Sequence, residues 1–193
     1  RRLRLGIAGG EWKKMMADAT ARTRFASEVK KIIEQYEFDG VDFDFEWPAN
    51  ASEYNNYSAT VIQMRSTLGK YVYFTASLHP VSFKISPEAI DALDFISYQC
   101  YGPAVMRFPY EQFVKDGEAA VAYGIPKNKL VMGVPFYGST GSLIAAYCDF
   151  VNDGLATTNE DTYTYKGNTY TFNSIETIRK KRDMSVKKTM QAL

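Results

Sequence analysis

The chain has 193 residues, 46% of them apolar, and a formal net charge of +1, so it is long enough to bury the core of about one globular domain. Charged side chains are spread along the sequence, and the basic cluster at residues 179–182 is typical of a solvated helix end, which argues against a nucleic-acid partner. No apolar run approaches the roughly 18 residues that cross a bilayer, so no membrane partner is expected, and Cys100 and Cys148 are too few for a disulfide framework.

Strands and helices are predicted to alternate along most of the chain. Alternating or continuous apolar residues predict five strands, within residues 3–8, 38–48, 71–79, 94–101 and 130–137. Helices are predicted between them, where apolar side chains recur at three- and four-residue spacing, as from Phe25 to Tyr36 and from Tyr57 to Leu68. Ser86 followed by Pro87 predicts the start of a further short helix. This βα repetition predicts a parallel sheet.

The last third of the chain is less regular. Residues 139–162 show no clear period, and residues 162–172 predict a hairpin that turns around residues 166–168. A closing helix is predicted from Ser174 to about residue 193. No linker rich in Pro, Gly or Ser divides the chain, so we expect one domain over residues 1–193.

The stretch FDGVDFDFEWP, residues 38–48, places three acids at alternate positions. In a strand, Asp42, Asp44 and Glu46 share one face, with successive Cα atoms about 6.6 Å apart, and the apolar residues between them share the other face. A solvated edge strand is the alternative, but exposed edges favour Lys and mixed charges. We therefore expect helices on the apolar side of this strand and a functional line of acids on the other side.

A parallel sheet of this kind is either open and doubly wound or closed into a barrel. The sequence contains no G-x-G-x-x-G phosphate-binding pattern, which disfavours the open, nucleotide-binding form. In a (β/α)8 TIM barrel the chemistry lies at the C-terminal ends of the strands. Asp44, Glu46, His79 and Tyr101 all lie at such ends of their predicted strands. We therefore expect an α/β fold of the TIM-barrel type.

The acidic stretch resembles the D-G-x-D-x-D-x-E signature of glycoside hydrolase family 18, the chitinases and endo-β-N-acetylglucosaminidases. Four further stretches are similar to family segments and occur in family order: LGIAGGEW, DALDFISYQCYG, NKLVMGVPFYGS and YTFNSIETIRKK. The resemblance implies a TIM-barrel catalytic domain that this chain covers incompletely, with two strands expected before residue 1 and one after residue 193.

The resemblance also implies a substrate-assisted reaction on N-acetylglucosamine polymers such as chitin. Glu46 would protonate the glycosidic oxygen and then act as a base toward water. Asp44 would stabilise the substrate's 2-acetamido group as its carbonyl attacks the anomeric carbon, and Asp42 would share a proton with Asp44. Tyr101 would donate its hydroxyl to the acetamido carbonyl, although a barrel-filling aromatic is the alternative for this residue.

Four further residues are candidates for sugar contact: Gln99, Trp47, Tyr137 and His79. Gln99 is expected on the same strand face as Tyr101, and Tyr137 ends the next predicted strand. A packing role is the alternative for Trp47, and an incidental position is the alternative for His79, the only histidine. No cofactor or metal is expected, because no His, Cys or Asp cluster has ligand spacing along the sequence.

Three positions depart from the family pattern. Ile7 stands where the family often has a serine beside the innermost acid, so Asp42 is expected to lack one donor, and Gly102 and Ser139 stand where Asp and Arg are frequent. Three hypotheses follow: a chitin hydrolase, an endo-β-N-acetylglucosaminidase acting on N-glycans, and a non-catalytic chitin-binding lectin. Secretion is expected from the family resemblance, and the oligomeric state is left open.

Overall fold

The computed structural model describes residues 2–102, 104–155, 159–187 and 191–192. The chain divides into two compact units, Arg1–Ser97 and Tyr98–Leu193. Among the described helices, none is both long enough and apolar enough to cross a bilayer.

The first unit is a parallel sheet with helices between its strands. Its strands are β1 (Arg4–Gly9), β2 (Gly40–Phe45), β3 (Tyr73–Leu78) and β4 (Phe95–Tyr98), which lie side by side in that order. β2 pairs in parallel with both β1 and β3. The helices are α1 (Lys13–Ala17), α2 (Ala19–Gln35), α3 (Ala51–Leu68) and α4 (Pro87–Ala92). Apart from the short α1, this is the βα alternation predicted from the sequence.

Polar side chains define where these helices begin. Asp18 caps α2 and Asn50 caps α3, each by accepting a backbone N–H of the first turn. Ser86 caps α4 in the same way and Pro87 occupies its first position, which confirms the predicted start. Each cap gives a partner to an N–H that has none inside the helix and contributes about 1 kcal/mol.

The apolar face of β2 lies against the helices. Val41 and Phe43 are fully buried, and Phe45 is 2% exposed. Tyr57 of α3 packs edge-on against both phenyl rings, with ring centroids 5.4 Å apart in each case. Burial of each ring contributes about 2 kcal/mol to the free energy of unfolding. The predicted helix-covered face of the acidic strand is therefore confirmed.

The second unit combines a short parallel strand pair with an antiparallel sheet. Its strands are β5 (Leu130–Met132), β6 (Tyr137–Ser139), β7 (Ile144–Ala146), β8 (Thr162–Tyr165), β9 (Asn168–Thr171) and β10 (Gln191–Ala192). β5 pairs in parallel with β10, and the other four strands form an antiparallel sheet in the order β7-β6-β9-β8. The helices are α5 (Tyr110–Tyr123), α6 (Tyr147–Asn152) and α7 (Ile175–Lys187), with single 3-10 turns at Val105–Arg107 and Lys127–Lys129.

The strand predicted over residues 130–137 is interrupted. β5 ends at Met132, and Tyr137 begins β6 of the antiparallel sheet. Pro135 lies between them and has no N–H to donate to a strand ladder, which ends the parallel pairing. The segment predicted as one strand therefore contains two short strands, which belong to different sheets.

The closing helix is shorter than predicted. α7 ends at Lys187 rather than near residue 193, and residues 191–192 form β10 instead. Gln191 and Ala192 pair in parallel with Val131 and Met132 of β5, which requires an extended backbone at this point. Strand pairing therefore overrides the helical pattern at this point.

The segment without a clear sequence period contains regular structure. β7 has three residues and α6 has six, which are too few to establish a period in the sequence. The hairpin of β8 and β9 turns at Lys166 and Gly167, whose φ angles are 48° and 76°. Phe150 of α6 is fully buried and packs with Tyr170 and Phe172 in the apolar cluster of this unit.

The basic cluster at residues 179–182 is only partly solvated. It lies within α7, where Lys181 is fully buried while its three neighbours in the cluster are exposed. Lys181 Nζ donates to Phe108 O at 2.6 Å and to Asn173 Oδ1 at 2.7 Å. Burial lowers the pKa of Lys181 to about 8, and nearby acidic groups oppose this shift. The prediction that the basic cluster is solvated is therefore wrong for Lys181, because this residue lies on the buried face of α7.

We expect the free energy of unfolding of the wild type to rise with pH more steeply than that of Lys181→Met. The difference is expected between about pH 8 and the ordinary lysine pKa of about 10.4. In this range the unfolded chain keeps a proton on Lys181 that the folded chain has released. The free energy of unfolding of the wild type therefore rises by roughly 1 kcal/mol per pH unit. Urea unfolding across this range measures the slope, with Lys180→Met on the exposed face as control. Equal slopes for the wild type and Lys181→Met would contradict the assignment.

Candidate active site

The acidic face of β2 carries the predicted line of carboxyl groups. Asp42 and Asp44 are half-buried and alternate with buried apolar residues, and Glu46 follows directly after the strand ends at Phe45. The Glu46 side chain is 38% exposed. Asp44 and Glu46 offer carboxylate oxygens that lie within 4.8 Å of one another. The predicted grouping of acids at the C-terminal end of this strand is therefore present in the first unit.

The double glycine at the end of β1 allows the backbone of Glu46 to approach closely. Glu46 N donates to Gly9 O at 3.1 Å, which extends the pairing of β1 with β2 by one residue. A Cβ atom on Gly10 would lie 2.7 Å from Glu46 O, a distance that real Cβ contacts do not reach. Any side chain at position 10 would therefore push the backbone of Glu46 aside.

Asp42 is held by donors from both neighbouring strands. The Thr75 hydroxyl donates to Asp42 Oδ1, and the Ser77 hydroxyl donates to Asp42 Oδ2 at 2.9 Å. Arg4 of β1 places a guanidinium nitrogen 3.4 Å from Asp42 Oδ1 and also donates to the Thr75 hydroxyl. Both oxygens of Asp42 therefore have partners. The expectation that Ile7 leaves Asp42 short of a donor is wrong, because β1 and β3 supply these contacts from other positions.

Tyr57 lies beneath the acids on the apolar side of β2. Its hydroxyl donates to Phe43 O at 3.2 Å, and its side chain is fully buried. Burial raises the pKa of Tyr57 far above its ordinary value, and the nearby charges of Asp42 and Asp44 raise it further. Tyr57 therefore stays neutral and supports the backbone of the acidic strand from α3.

Glu46, His79 and Trp47 lie together at the open end of the acidic face. His79 Nε2 is 3.4 Å from Glu46 Oε1, and the His79 side chain is 5% exposed. The Trp47 ring stands edge-on to the imidazole, with ring centroids 4.9 Å apart and planes at 83°. The peptide bond between Glu46 and Trp47 is cis. Trp47 thus packs against His79, whether or not it also contacts a sugar.

The register of β2 with β3 places His79 beside Glu46. The spacing of residues along the sequence did not reveal this contact. In the parallel pairing of β2 with β3, Asp42 lies opposite Thr75 and Phe43 lies opposite Ala76. Three more residues in the same register place Glu46 opposite His79. Asp44, Glu46 and His79 together offer three possible metal ligands within 4.8 Å of one another. The signal in the sequence was the alternation of polar and apolar residues in the next strand, whose polar face carries Thr75, Ser77 and His79.

The second unit carries the remaining predicted residues, Gln99, Tyr101 and Tyr137. β4 ends at Tyr98, and Gly102 N donates to Gln99 O at 3.2 Å, so Gln99 and Tyr101 lie in a turn. The strand predicted to extend to residue 101 therefore ends at Tyr98, before the two residues that were expected to share one of its faces.

The two tyrosines of the second unit contact each other. The rings of Tyr101 and Tyr137 meet edge-on, with centroids 6.2 Å apart and planes at 87°, and Tyr137 also meets Phe108 edge-on. Tyr137 begins β6, and partial burial raises its pKa. Cys100, next to Tyr101, is a fully buried free thiol, and Cys148 is an exposed free thiol.

Comparison with known sequences assigns the chain to a family. The sequence model described as glycosyl hydrolases family 18 matches residues 3–191. The chain belongs to glycosyl hydrolase family 18. The match confirms the resemblance carried by the acidic stretch and extends over almost all of the chain.

Curated relatives of this family 18 chain include two insect proteins. Probable chitinase 2 of Drosophila melanogaster is 26% identical over 189 residues, which cover 78% of this chain and 37% of that protein. The endochitinase of Manduca sexta is 28% identical over 179 residues, which cover 72% of this chain and 32% of that protein. The chain thus spans about a third of the length of these two relatives.

Solved structures show the fold of the family 18 chain. The GH18 chitinase ChiB of Flavobacterium johnsoniae superposes with a TM-score of 0.83 at 24% identity, over 99% of this chain and 67% of that chain. The chitinase-like agglutinin RobpsCRA of Robinia pseudoacacia gives a TM-score of 0.78 at 19% identity, over 99% and 74%. The GH18 chitinase of Cycas revoluta in complex with (GlcNAc)3 gives 0.78 at 18% identity, over 98% and 74%. These likenesses confirm the predicted α/β fold, which corresponds to part of a TIM barrel.

Proposed function

We propose that this family 18 chain acts as a glycosidase on β-1,4-linked N-acetylglucosamine, the repeating unit of chitin. One observation carries the proposal: Asp42 and Asp44 of β2 are followed by Glu46 directly after the strand, with Asp44 and Glu46 oxygens within 4.8 Å of one another and the Glu46 side chain 38% exposed. A carboxyl group that reaches solvent can protonate a bound sugar, and a partly buried carboxylate behind it can stabilise developing positive charge. Family membership and the chitinase names of the relatives support the same reaction.

In the proposed reaction the substrate supplies its own nucleophile. The carbonyl oxygen of the 2-acetamido group attacks the anomeric carbon, the bond to the glycosidic oxygen breaks, and Glu46 donates its proton to that oxygen. An oxazolinium ion results, and Asp44 accepts a hydrogen bond from its N–H and stabilises its charge. The Glu46 carboxylate then takes a proton from a water molecule that attacks the anomeric carbon and reopens the ring. The two displacements retain the β configuration.

The other residues of the site are assigned supporting parts. Asp42, held by Arg4 and two hydroxyls, fixes the strand behind Asp44 and is proposed to tune its charge. Tyr101 is proposed to donate to the acetamido carbonyl on the family resemblance alone. Gln99, Tyr137, Trp47 and His79 are kept as candidates for sugar contact.

A sugar-binding protein without turnover is the second candidate function. The likeness to the Robinia agglutinin, described as chitinase-like, favours this possibility, because the same fold occurs in a protein named for agglutination. The retained Glu46 favours the enzyme, because a binding protein has no need of a proton donor at this position.

Digestion of chitotetraose by the purified protein separates the two functions. We expect shorter N-acetylglucosamine oligosaccharides to accumulate, with the β anomer formed first. A high-mannose glycopeptide, treated in parallel, is expected to stay intact, and its cleavage in place of chitotetraose would identify the N-glycan activity instead. Tight binding of chitotetraose without any product would contradict the enzyme and support the lectin.

A further inference from the structure

We propose that Asp44, Glu46 and His79 form a Zn²⁺ site on the acidic face of β2. The three residues come from the acidic strand and from the end of the next strand, and each offers one ligand atom. Metal binding at this site follows from its geometry and does not depend on the proposed hydrolysis. Only the consequence for activity rests on the proposed function.

The distances fit a four-coordinate metal. Zn²⁺ binds imidazole nitrogen and carboxylate oxygen at about 2.0–2.1 Å, so two ligands of a tetrahedral site lie about 3.3–3.4 Å apart. His79 Nε2 and Glu46 Oε1 are already 3.4 Å apart. All three ligand atoms lie within 4.8 Å of one another. The Asp44 oxygen therefore has to move by no more than roughly 1.4 Å to reach the ligand separation of a tetrahedral site. Rotation of the carboxyl group about its side-chain bonds is sufficient for such a shift.

The chemistry of the donor set selects Zn²⁺ over the common hard cations. One imidazole nitrogen and two carboxylate oxygens suit a borderline metal, whereas Mg²⁺ and Ca²⁺ prefer oxygen ligands alone. The two carboxylates balance the charge of a divalent ion. Three protein ligands leave a fourth position open to water.

The surroundings hold the ligands and leave a route for the ion. His79 is buried, and the Trp47 ring packs against its imidazole, which restricts the orientation of the ring. Asp44 lies within β2, whose register with both neighbouring strands is fixed by parallel pairing. The Glu46 side chain is 38% exposed, so an ion reaches the ligands from solvent. Two ligands, His79 and Asp44, are therefore held in place, and the third, Glu46, is accessible to solvent. Ligands held in this way make a preorganised site.

Occupation by Zn²⁺ and hydrolysis exclude each other. The ion takes the oxygen of Glu46 that would otherwise carry the proton for the glycosidic bond, and it neutralises Asp44. If the proposed reaction occurs at this site, Zn²⁺ therefore inhibits it and competes with the substrate. Zinc would then act as a reversible inhibitor of the enzyme.

Direct titration of the purified protein with Zn²⁺, in competition with a chromophoric chelator, tests the site. We expect one equivalent to bind, and Co²⁺ in its place to show the visible absorption of a four-coordinate ion. Loss of a residue behind a metal ligand weakens binding by about 10–100-fold, so loss of a ligand in His79→Phe or Glu46→Gln is expected to weaken it at least that much. His79→Phe keeps an aromatic ring in the buried position, and Glu46→Gln changes a partly exposed side chain. Both variants are therefore expected to fold, so that weaker binding reports the loss of a ligand.

Two control variants separate this site from other zinc ligands. Cys148→Ser removes the exposed thiol, and Glu34→Gln removes an exposed carboxylate of α2; both are expected to bind Zn²⁺ as the wild type does. The proposal is overturned if the wild type binds no equivalent, if His79→Phe and Glu46→Gln bind normally, or if Cys148→Ser abolishes binding. Zinc binding without chitotetraose cleavage would refute the hydrolase alone, and cleavage without zinc binding would refute the zinc site alone.

Discussion

Glu46→Gln is expected to reduce the turnover of chitotetraose by about 10²–10⁴-fold while leaving sugar binding in place. Glutamine keeps the size and shape of the side chain but has no acidic proton to give to the glycosidic oxygen. The oxygen that departs from the sugar is strongly basic, so its departure depends on that proton. Initial rates from chromatography of the products, together with calorimetric binding of chitotetraose, measure the two quantities separately.

The nature of the leaving group provides a sharper test of the same role. An aryl β-glycoside of N-acetylglucosamine oligosaccharides with a strongly acidic phenol needs little protonation, so the defect of Glu46→Gln is expected to shrink on this substrate. Glu34→Gln, on the exposed side of α2, is the matched control and is expected to match the wild type on both substrates. A defect of equal size with both leaving groups would show that Glu46 is not the acid.

Asp44→Asn is expected to reduce turnover by about 10²–10³-fold with both kinds of leaving group. In the proposed reaction, the substitution removes the negative charge that stabilises the acetamido nitrogen but leaves Glu46, the proposed proton donor, unchanged. Charge develops on that nitrogen in the first displacement irrespective of the departing group, so an acidic phenol does not rescue the variant. Rates on the aryl glycoside and on chitotetraose, compared as ratios to the wild type, measure this difference.

Asp39 offers a matched control for Asp44 within the same sequence signature. Its carboxylate accepts a hydrogen bond from Leu3 N at 2.6 Å and ties β1 to the start of β2, away from the acidic face. Asp39→Asn keeps an oxygen that can accept this hydrogen bond, so turnover close to that of the wild type is expected. A rate for Asp44→Asn as high as that of Asp39→Asn would contradict the electrostatic role of Asp44.

The period of two in the acidic stretch was sufficient to predict the essential geometry of β2. It assigned the three acids to one face and the apolar residues to the other, and the structure buries those apolar residues, which are Val41, Phe43 and Phe45. The alternation of polar residues in the next strand was also visible. A pattern within a strand is local, and side-chain direction depends only on extended backbone.

Contacts between strands were not predictable in the same way. The register of β2 with β3 decides that His79 meets Glu46 and that Thr75 and Ser77 meet Asp42, and no pattern within one strand contains that register. The expectation that Asp42 lacks a donor failed for this reason. The burial of Lys181 was missed because a charged residue between charged neighbours has the composition of a solvated face.

Substrates that differ only in the acetyl group test the central claim most directly. Aryl β-glycosides of N-acetylglucosamine oligosaccharides, with N-acetyl, N-fluoroacetyl, N-difluoroacetyl and N-trifluoroacetyl groups on the reacting sugar, place a progressively weaker nucleophile at the anomeric carbon. If the carbonyl of the substrate attacks while Glu46 supplies the proton, kcat falls steeply with each added fluorine. A kcat that is independent of fluorination would mean that a group of the protein or a water molecule attacks instead.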